Sequence, residues 1–286
     1  MTERLDVDAP AKLLAFLRSR LEGWRVKTLK GRLRLGCVLV NSETVTRPDH
    51  RLAAGDRVEV GSRDSGVERA RSHPAFTTLH VDADLIAIDK PSGLLSVSTD
   101  RQRSRTALAL LRESLPPPGR PAPLWPVHRL DRETSGVLLF ARSLDARDAL
   151  QSAWTDARKR YLAIVETHPE PAEGTIDQPL WEDRNLNVRV GQRPGAKDAQ
   201  TRYRTRERGR RRALLEVELV TGRRHQIRAH LAWLGCPIVG DRRYGSPAPR
   251  MGLHARQLRV VHPRTGVELR LEAPPPRAFS ALLDGE

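Results

Sequence analysis

The sequence has little cysteine, little lysine and no long apolar run. Of its 286 residues only two are cysteine, Cys37 and Cys236, and they form no Cys-x-x-Cys pair. A disulfide framework and a cysteine-built zinc site are therefore excluded, and the composition fits a reducing cytoplasm. No apolar stretch approaches the roughly 18 residues that a membrane span needs, and the first residues lack the order of a signal peptide. We expect a non-secreted, cytoplasmic protein without a membrane segment.

Motifs for the common cofactors are also absent. The sequence contains no Gly-x-Gly-x-x-Gly, no Gly-Lys-Ser/Thr phosphate loop and no Gly-x-Ser-x-Gly elbow. His225 and His230 lie five residues apart, so they do not share a helical face that could hold a metal. We expect neither a metal nor a cofactor.

Positive charge is in excess. Lys and Arg total 50 against 35 Asp and Glu, which gives a formal net charge of +15, and only six of the cations are Lys. A GC-rich genome explains the ratio of Arg to Lys, but it does not explain the excess of cations over acids. Because Arg grips phosphate with a bidentate fork, this balance favours a polyanion partner, nucleic acid first.

The pattern of the chain predicts two domains and a linker. We predict that residues 1–61 form a small α/β unit, residues 62–75 a polar linker, and residues 76–286 a larger α/β region. In the first unit we predict a helix over Ala11–Leu21 and a second, amphipathic helix with Val26, Leu29 and Leu33 on its apolar side. The cationic face of this second helix carries Lys27, Lys30, Arg32 and Arg34.

The larger region alternates strand and helix signals. Periodicity and turn residues predict a hairpin over Leu79–Ile88, a buried strand over Gly136–Ala141, a helix capped by Ser143 and ending near Arg158, a strand over Tyr161–Glu166, two strands around the basic turn Arg208–Arg212, and a helix over Gln226–Leu234 that stops at Gly235.

Polar residues crowd just before the predicted buried strand. There Asp131 is flanked in sequence by Arg129 and Arg132. A nearby cation keeps a carboxylate ionised, so Asp131 has the chemistry of a nucleophile or a base. The alternative is that Asp131 caps a turn and Arg129 is solvated in the loop. A second cluster, Thr221–His230, places Arg and His at the start of a helix, where phosphate or carboxylate is attracted.

Four blocks in order resemble the RluA-type pseudouridine synthases. They are Lys90-Pro91-Ser92-Gly93, His128-Arg129-Leu130-Asp131-x-x-Thr134-Ser135-Gly136, Lys159-Arg160-Tyr161-Leu162-Ala163 and Gly222-Arg223-Arg224-His225-Gln226-Ile227-Arg228-Ala229-His230, followed by Gly240-Asp241-x-x-Tyr244-Gly245 and Leu253-His254-Ala255. The likeness runs from about Leu79 to Pro274. Residues 1–61 are similar to the small RNA-binding fold of a ribosomal small-subunit protein, through Gly36–Asn41 and Gly55–Val58.

The resemblance implies a fold and a reaction. The fold is α+β, with a catalytic domain on a mixed, mostly antiparallel sheet flanked by helices, preceded by the small RNA-binding domain. The reaction breaks the base–sugar bond of a uridine and rejoins the base through carbon 5, which oxidises nothing and needs no cofactor. By the family pattern Asp131 is the nucleophile, Arg228 is its ion-pair partner, and Tyr161 packs the uracil. The alternative for Tyr161 is a core tyrosine on a strand.

The resemblance also implies RNA contacts. Arg129 matches a position that fills the space left by the flipped base. The phosphate contacts are expected from Lys90, Arg223, His225 and the cationic face Lys27–Arg34. Each surface Arg, taken alone, is better explained as a solvated side chain than as a specific RNA contact. Two departures from the family pattern, Arg224 and Asp89, concern these contacts. The turn Arg208–Arg212 is either a further phosphate grip or a solvated hairpin.

The RNA target is a choice between classes. The appended RNA-binding domain favours large-subunit ribosomal RNA over transfer RNA. Two non-catalytic alternatives are a ribosome-associated RNA-binding protein and an assembly chaperone. A pure binder has no need of Asp131, Tyr161 and Arg228 together, so we favour the enzyme, acting as a monomer.

Overall fold

The computed structural model describes residues 3–34, 37–41, 43–45, 47–61, 75–98, 105–115 and 123–285. These residues form two compact units. The first comprises the described parts of 1–87, 97–126 and 139–147, and the second comprises 88–96, 127–138 and 148–285. The predicted linker 62–75 lies outside the described residues except for Ala75. The predicted domain boundaries stay a prediction.

In its described part, the first unit contains short strands and helices. Its strands are β1 Glu3–Asp6, β2 Ala11–Lys12, β3 Val38–Val40, β4 Glu43–Thr44, β5 Arg51–Leu52, β6 Arg57–Val60, β7 Thr77–Val81, the start of β8 Leu85–Lys90, and β9 Trp125–Pro126; its helices are α1 Leu13–Arg20, α2 Val26–Arg34 and α3 Ala107–Ser114. Strands β1, β6, β3 and β4 form an antiparallel sheet in that order. The predicted hairpin is confirmed as β7 and β8, with a turn held by Asp82 Oδ1, which accepts the backbone N–H of Asp84 and Leu85.

The amphipathic helix α2 confirms the predicted period. Leu29 and Leu33 are buried in a core that also contains Leu17, Val38 and Val58. The assignment of Val26 to the buried face is wrong, because this first residue of the helix is 36% exposed.

The second unit is built on a mixed, mostly antiparallel sheet. Its strand order is β12-β15-β16-β11-β17-β10, with β18 paired to β17, and only β10 and β17 run parallel among these described pairs. The strands are β10 Ser135–Ala141, β11 Arg158–Val165, β12 Glu173–Asp177, β13 Leu180–Glu182, β14 Val188–Val190, β15 Gln200–Arg208, β16 Ala213–Leu219, β17 Leu253–Val261 and β18 Glu268–Glu272; the helices are α4 Leu144–Ser152, which begins in the first unit, α5 Gln226–Trp233 and α6 Ala278–Asp284. The α+β class is as predicted. No helix in the described ranges is long and apolar enough to cross a membrane.

Strand β11 sets the position of several polar side chains. It pairs regularly with β16, so that Lys159 faces Leu219 and Tyr161 faces Val217. Against β17 the register shifts between Arg160 and Leu162, because two residues of β17, Ala255 and Arg256, lie opposite the single residue Tyr161 of β11. Bulges re-aim side chains and are frequent beside functional sites. Because alternate residues of a strand share a face, Lys159 and Tyr161 project from the same side of β11.

Two helix ends test the sequence signals. Ser143 caps α4, since its Oγ accepts the N–H of Ala146 (3.1 Å). The predicted end near Arg158 is wrong: α4 ends at Ser152, and Arg158 already begins β11. Helix α5 stops as predicted, because Gly235 adopts φ +81° and its N–H bonds to the Ala232 carbonyl.

Gly136 is required by a close approach of two strands. It adopts φ +111°, a region that L side chains rarely enter, and a Cβ there would overlap the backbone carbonyl of Ala255. The glycine therefore allows β10 to run directly beside β17 at the point where the loop carrying Asp131 enters the sheet.

Candidate active site

A cavity of about 260 Å³ opens in the second unit. That volume lies just below the usual range of about 300–1,000 Å³ for drug-sized ligands, so it suits one small ring system. Its walls come from the loop before β10, from the start of β11 and from the start of α5. The polar residues on them are His128, Arg129, Asp131, Thr134, Lys159, Tyr161, Arg223, His225, Gln226 and Arg228.

The loop that carries Asp131 is fixed through its backbone. Ser96 Oγ donates to the Leu130 carbonyl (2.8 Å) and accepts the Leu130 N–H (3.0 Å). Ser92 Oγ donates to the Glu133 carbonyl (2.7 Å). The carbonyl of the buried Leu130, which would otherwise lie unsatisfied in the interior, is thereby paired. The segment from Lys90 to Ser96 is thus a clamp that holds the loop in one conformation.

Lys90 belongs to this clamp, and its predicted role as a phosphate contact is wrong. Its side chain is fully buried, and Nζ donates to the carbonyls of Pro91 (2.9 Å), Leu94 (2.8 Å) and Arg132 (3.1 Å). Burial lowers the pKa of Lys90 to about 7, against the opposing charges of Glu133 and Asp131. An ammonium directed at three backbone carbonyls has no donor left for RNA.

We expect Lys90→Met to reduce stability without changing the salt dependence of RNA binding. The variant leaves three carbonyls without a donor, which costs about 2–4 kcal/mol in the free energy of unfolding. Urea unfolding measures the loss, and RNA binding across a salt series measures the slope. Lys30→Met, at an exposed cation of α2, is the control: there we expect the slope to fall by about one unit and stability to stay constant. A smaller salt slope with unchanged stability for Lys90→Met would instead indicate that Lys90 contacts RNA phosphate.

Asp131 pairs with Arg228, not with the arginines beside it in sequence. Arg228 Nη1 donates to Asp131 Oδ2 (3.0 Å), and the Asp131 side chain is 25% exposed toward the cavity. Arg132 instead donates Nε to the Gly93 carbonyl (3.0 Å). The expectation that flanking cations hold the charge of Asp131 is therefore corrected, while the partner implied by the resemblance is observed.

Arg228 is itself held by a second carboxylate. Its Nε and Nη2 donate to the two oxygens of Asp241, both at 2.7 Å, and the Asp241 side chain is fully buried. Burial pushes the pKa of Asp241 upward, but the hydrogen bonds and charge of Arg228 outweigh burial and hold this pKa below its usual value. Arg228 has its own pKa raised by Asp241 and Asp131 against the effect of burial. The guanidinium is therefore permanently charged and presents Nη1 to Asp131.

His225 covers the other oxygen of Asp131. Its Nε2 lies 3.8 Å from Asp131 Oδ1, and its Nδ1 is hydrogen-bonded to the Tyr244 hydroxyl (3.0 Å). Tyr244 also accepts the N–H of Val188 (3.1 Å). The backbone of His225 adopts φ +51°, which is costly for a side chain other than glycine and points to a constrained position.

Burial lowers the pKa of His225 to about 4, although Asp131 acts in the opposite direction. The ring is therefore neutral near pH 7. It lines the cavity beside the carboxylate, and its predicted role as a phosphate contact stays a prediction.

Three histidines predict a pH dependence of stability. His128, His225 and His254 all have pKa values lowered by burial from 6.5 to about 4. Between pH 4 and 6.5 the unfolded chain therefore binds more protons than the folded chain, so the free energy of unfolding falls as pH falls. Each histidine contributes up to about 1.4 kcal/mol per pH unit. Calorimetry in buffers of different ionisation enthalpy at pH 5.3 measures the protons taken up on unfolding. We expect close to three from this set, and no uptake would contradict the burial.

Tyr161 faces the cavity from β11. No hydrogen bond to its hydroxyl is formed by any residue in the described part of the chain, and burial, followed by the charge of Asp131, raises its pKa. The phenol is thus protonated at neutral pH and its ring is half-buried on the cavity wall. Its surroundings are those of a cavity-lining residue, although it also packs on the core of this unit.

The remaining residues predicted to contact RNA differ in how exposed they are and in whether they already bind protein groups. Arg129 and Arg223 are exposed on the cavity rim, and Arg223 Nε donates to the Asp198 carbonyl (3.0 Å). In the first unit Lys27 and Lys30 are exposed. Arg32 is partly engaged, since Nη1 donates to the Gly61 carbonyl (2.8 Å) and the guanidinium lies over Trp24. The side chain of Arg34 lies outside the described residues.

Three other arginines, Arg224 and two in the basic turn, form contacts within the protein. Arg224, a departure from the family pattern, forms an ion pair with Glu182 (2.8 Å). In the basic turn, Arg212 donates to the Leu282 carbonyl (2.7 Å) and Arg208 pairs with Glu170 (3.6 Å), while Arg210 and Arg211 are exposed. Two of the four arginines in that turn, Arg208 and Arg212, are therefore engaged in contacts within the protein.

Four cavity or supporting residues were not assigned a role from the sequence. They are Asp241, Tyr244, Trp154 and Lys159. Asp241 and Tyr244 had a signal, because they stand in the block Gly240-Asp241-x-x-Tyr244-Gly245. Lys159 stands two residues before Tyr161, and strand alternation would have placed both on one face.

Comparisons with known proteins agree with this geometry. The family described as RNA pseudouridylate synthase matches residues 84–233. "Ribosomal large subunit pseudouridine synthase D" of Xanthomonas campestris is 34% identical, over 94% of this chain and 84% of that protein. The protein of the same name from Escherichia coli is 30% identical, over 99% of this chain and 90% of that protein.

Solved structures show the same similarity. "Human RNA Pseudouridylate Synthase Domain Containing 4" is 29% identical with a TM-score of 0.59, over 71% of this chain and 90% of that chain. "Human RNA Pseudouridylate Synthase Domain Containing 1", at 24% identity and a TM-score of 0.60, supports the fold, over 75% of this chain and 87% of that chain. The chain therefore belongs to the RNA pseudouridylate synthase family, as an isomerase of the RluA type that its motifs predict.

Proposed function

We propose that this protein converts specific uridines of large-subunit ribosomal RNA to pseudouridine, with Asp131 as the nucleophile. The observation that carries the proposal is the half-buried carboxylate of Asp131, aligned by Arg228 at 3.0 Å inside a cavity that Tyr161 also lines. The non-catalytic alternatives are disfavoured, because this chain has Asp131, Tyr161 and Arg228 together and a protein that only binds RNA does not need them.

Each residue has a separable part in the proposed reaction. The target uridine leaves its stack and enters the cavity, where the Tyr161 ring packs against the uracil with a stacking contribution of about 1–3 kcal/mol. Asp131 then attacks either the ring or the anomeric carbon of the sugar, and the base–sugar nitrogen bond breaks. The base turns and its carbon 5 bonds to the anomeric carbon. The bond to Asp131 breaks again, and the proton leaves carbon 5 while the ring nitrogen gains one. Arg228 keeps the carboxylate charged and oriented, and Arg129 on the rim fills the space that the base has left. The isomerisation is balanced without an oxidant, a reductant or a donated group, so we propose that no cofactor and no metal takes part.

Ribosomal RNA is the substrate favoured by the relatives. Both bacterial relatives carry names that state action on the large ribosomal subunit, and both align over more than nine-tenths of this chain. The net charge of +15 and the exposed Lys27 and Lys30 on α2 supply sequence-independent attraction to the phosphate backbone. We further propose that the protein acts in the cytoplasm as a monomer.

A pseudouridine map of total cellular RNA tests the proposal. The native strain is compared with a strain that carries Asp131→Asn at the chromosomal locus. We expect one or a few pseudouridines of the large-subunit ribosomal RNA to vanish. Loss of transfer RNA sites instead would redirect the substrate, and an unchanged map together with inactivity of the purified wild-type protein on ribosomal transcripts would refute the function.

A further inference from the structure

Lys159 is a buried cation without a protein partner. Its side chain is only 7% exposed, and it lines the cavity. In the described part of the chain, no hydrogen bond and no ion pair is formed with it. The contact that its ammonium makes is with the face of Trp154, at 5.7 Å from the ring centroid. Burying an ammonium without an anion is costly, so the position implies a partner that arrives from outside.

Among the residues that the structure describes, no carboxylate pairs with Lys159. Trp154 is stacked on His128, with ring centroids 5.0 Å apart. Burial and the neighbouring Lys159 lower the pKa of His128 to about 4, so this ring is neutral. Burial lowers the pKa of Lys159 as well. This corner of the cavity is therefore electropositive, and it differs from the Asp131 side, where the charges are already paired.

The register of β11 places Lys159 toward the mouth of the cavity. Lys159 faces Leu219, the last residue of β16, while Tyr161 faces Val217, two pairs deeper in the sheet. After Leu219 the chain leaves the sheet toward Arg223 on the rim. A nucleotide that enters base-first carries its phosphate at the mouth, level with Lys159. An ammonium is a compact point charge, which suits a phosphate oxygen.

We propose that Lys159 binds a non-bridging oxygen of a phosphate that flanks the uridine drawn into the cavity. The inference rests on the proposed function and assigns a substrate contact that the sequence motifs did not. Lys159 thereby fixes the backbone of the target nucleotide while Asp131 and Tyr161 act on its sugar and base. The contact with the Trp154 ring restricts where the ammonium can lie.

The test is a double-mutant cycle in which one change is made in the protein and the other in a phosphate of the RNA. The protein variants are Lys159→Met, which removes the charge with little change of volume, and Lys159→Gln as a second neutral variant in case the first does not fold. Lys197→Met, at an exposed lysine of the same unit outside this cavity, is the matched control. Thermal unfolding establishes which variants are folded. The RNA is a ligated large-subunit transcript with one methylphosphonate, a neutral linkage, placed 5′ of the mapped uridine, 3′ of it, or five nucleotides away.

We expect single-turnover kcat/KM of the wild type to fall about tenfold when one flanking linkage is neutralised. Lys159→Met is expected to fall about tenfold on natural RNA, mainly in KM, and to lose nothing further on that same modified RNA. Lys197→Met is expected to retain the wild-type sensitivity. Equal losses for wild type and Lys159→Met at every modified position would overturn the inference while leaving the enzyme assignment intact. A wild-type protein inactive on the unmodified transcript would overturn the proposed function, and this inference with it.

Discussion

Replacing Asp131 by Asn is expected to slow pseudouridine formation by at least about 10⁴-fold. The amide cannot form the covalent bond to the base or the sugar that the carboxylate forms. The fold is expected to persist, because the amide oxygen still accepts from Arg228 Nη1 and because Arg228 keeps both hydrogen bonds to Asp241. Single-turnover conversion of a ribosomal transcript, read by carbodiimide labelling and primer extension, measures the rate.

The matched control for this variant is Asp156→Asn. Asp156 is an exposed carboxylate in the turn before β11 and does not line the cavity. We expect it to keep wild-type turnover, and we expect both variants to melt within about 4 °C of the wild type. Turnover by the Asp131→Asn protein at more than a hundredth of the wild-type rate would remove Asp131 from the nucleophile's role.

The sequence predicts the elements whose signals are local. The seven residues of β10 are all buried, as an uninterrupted apolar run indicates. Helix α5 ends where Gly235 takes a positive φ, and α4 begins where Ser143 caps it. Each of these depends on a few neighbouring residues, so the amino-acid pattern contains the required information.

Contacts between residues that are far apart in the sequence cannot be predicted from such local signals. Lys90 has the composition of a surface residue, and its burial depends on carbonyls of Leu94 and of Arg132, 42 residues away. Arg132 lies beside Asp131 in sequence but turns to Gly93, because the clamp segment offers its carbonyl there. The bulge opposite Tyr161 arises where β11 pairs with β17, and these two strands are far apart in the chain. Tertiary contacts decide these positions, and no periodicity of a single segment encodes them.

Replacing Arg228 by Met is expected to cost about 3–5 kcal/mol in the free energy of unfolding. This cost arises at Asp241 rather than at Asp131. Asp131 is 25% exposed and regains water, whereas the Asp241 side chain is fully buried and loses its counter-charge. Activity is expected to fall by about 10²–10³-fold, because Asp131 loses the group that orients it. Arg224→Met is the control, since its exposed pair with Glu182 contributes less than about 1 kcal/mol.

The double variant Arg228→Met/Asp241→Asn separates the two effects. Asn at position 241 carries no charge, yet its oxygen still accepts the backbone N–H groups of Arg243 and Tyr244 that Asp241 accepts now (3.0 and 3.3 Å). We therefore expect the double variant to be about 2 kcal/mol more stable than Arg228→Met and equally inactive. Urea unfolding and single-turnover rates on the same preparations measure both quantities. Recovery of activity along with stability would mean that Arg228 serves only the fold, because a residue that orients Asp131 leaves catalysis impaired whatever happens at Asp241.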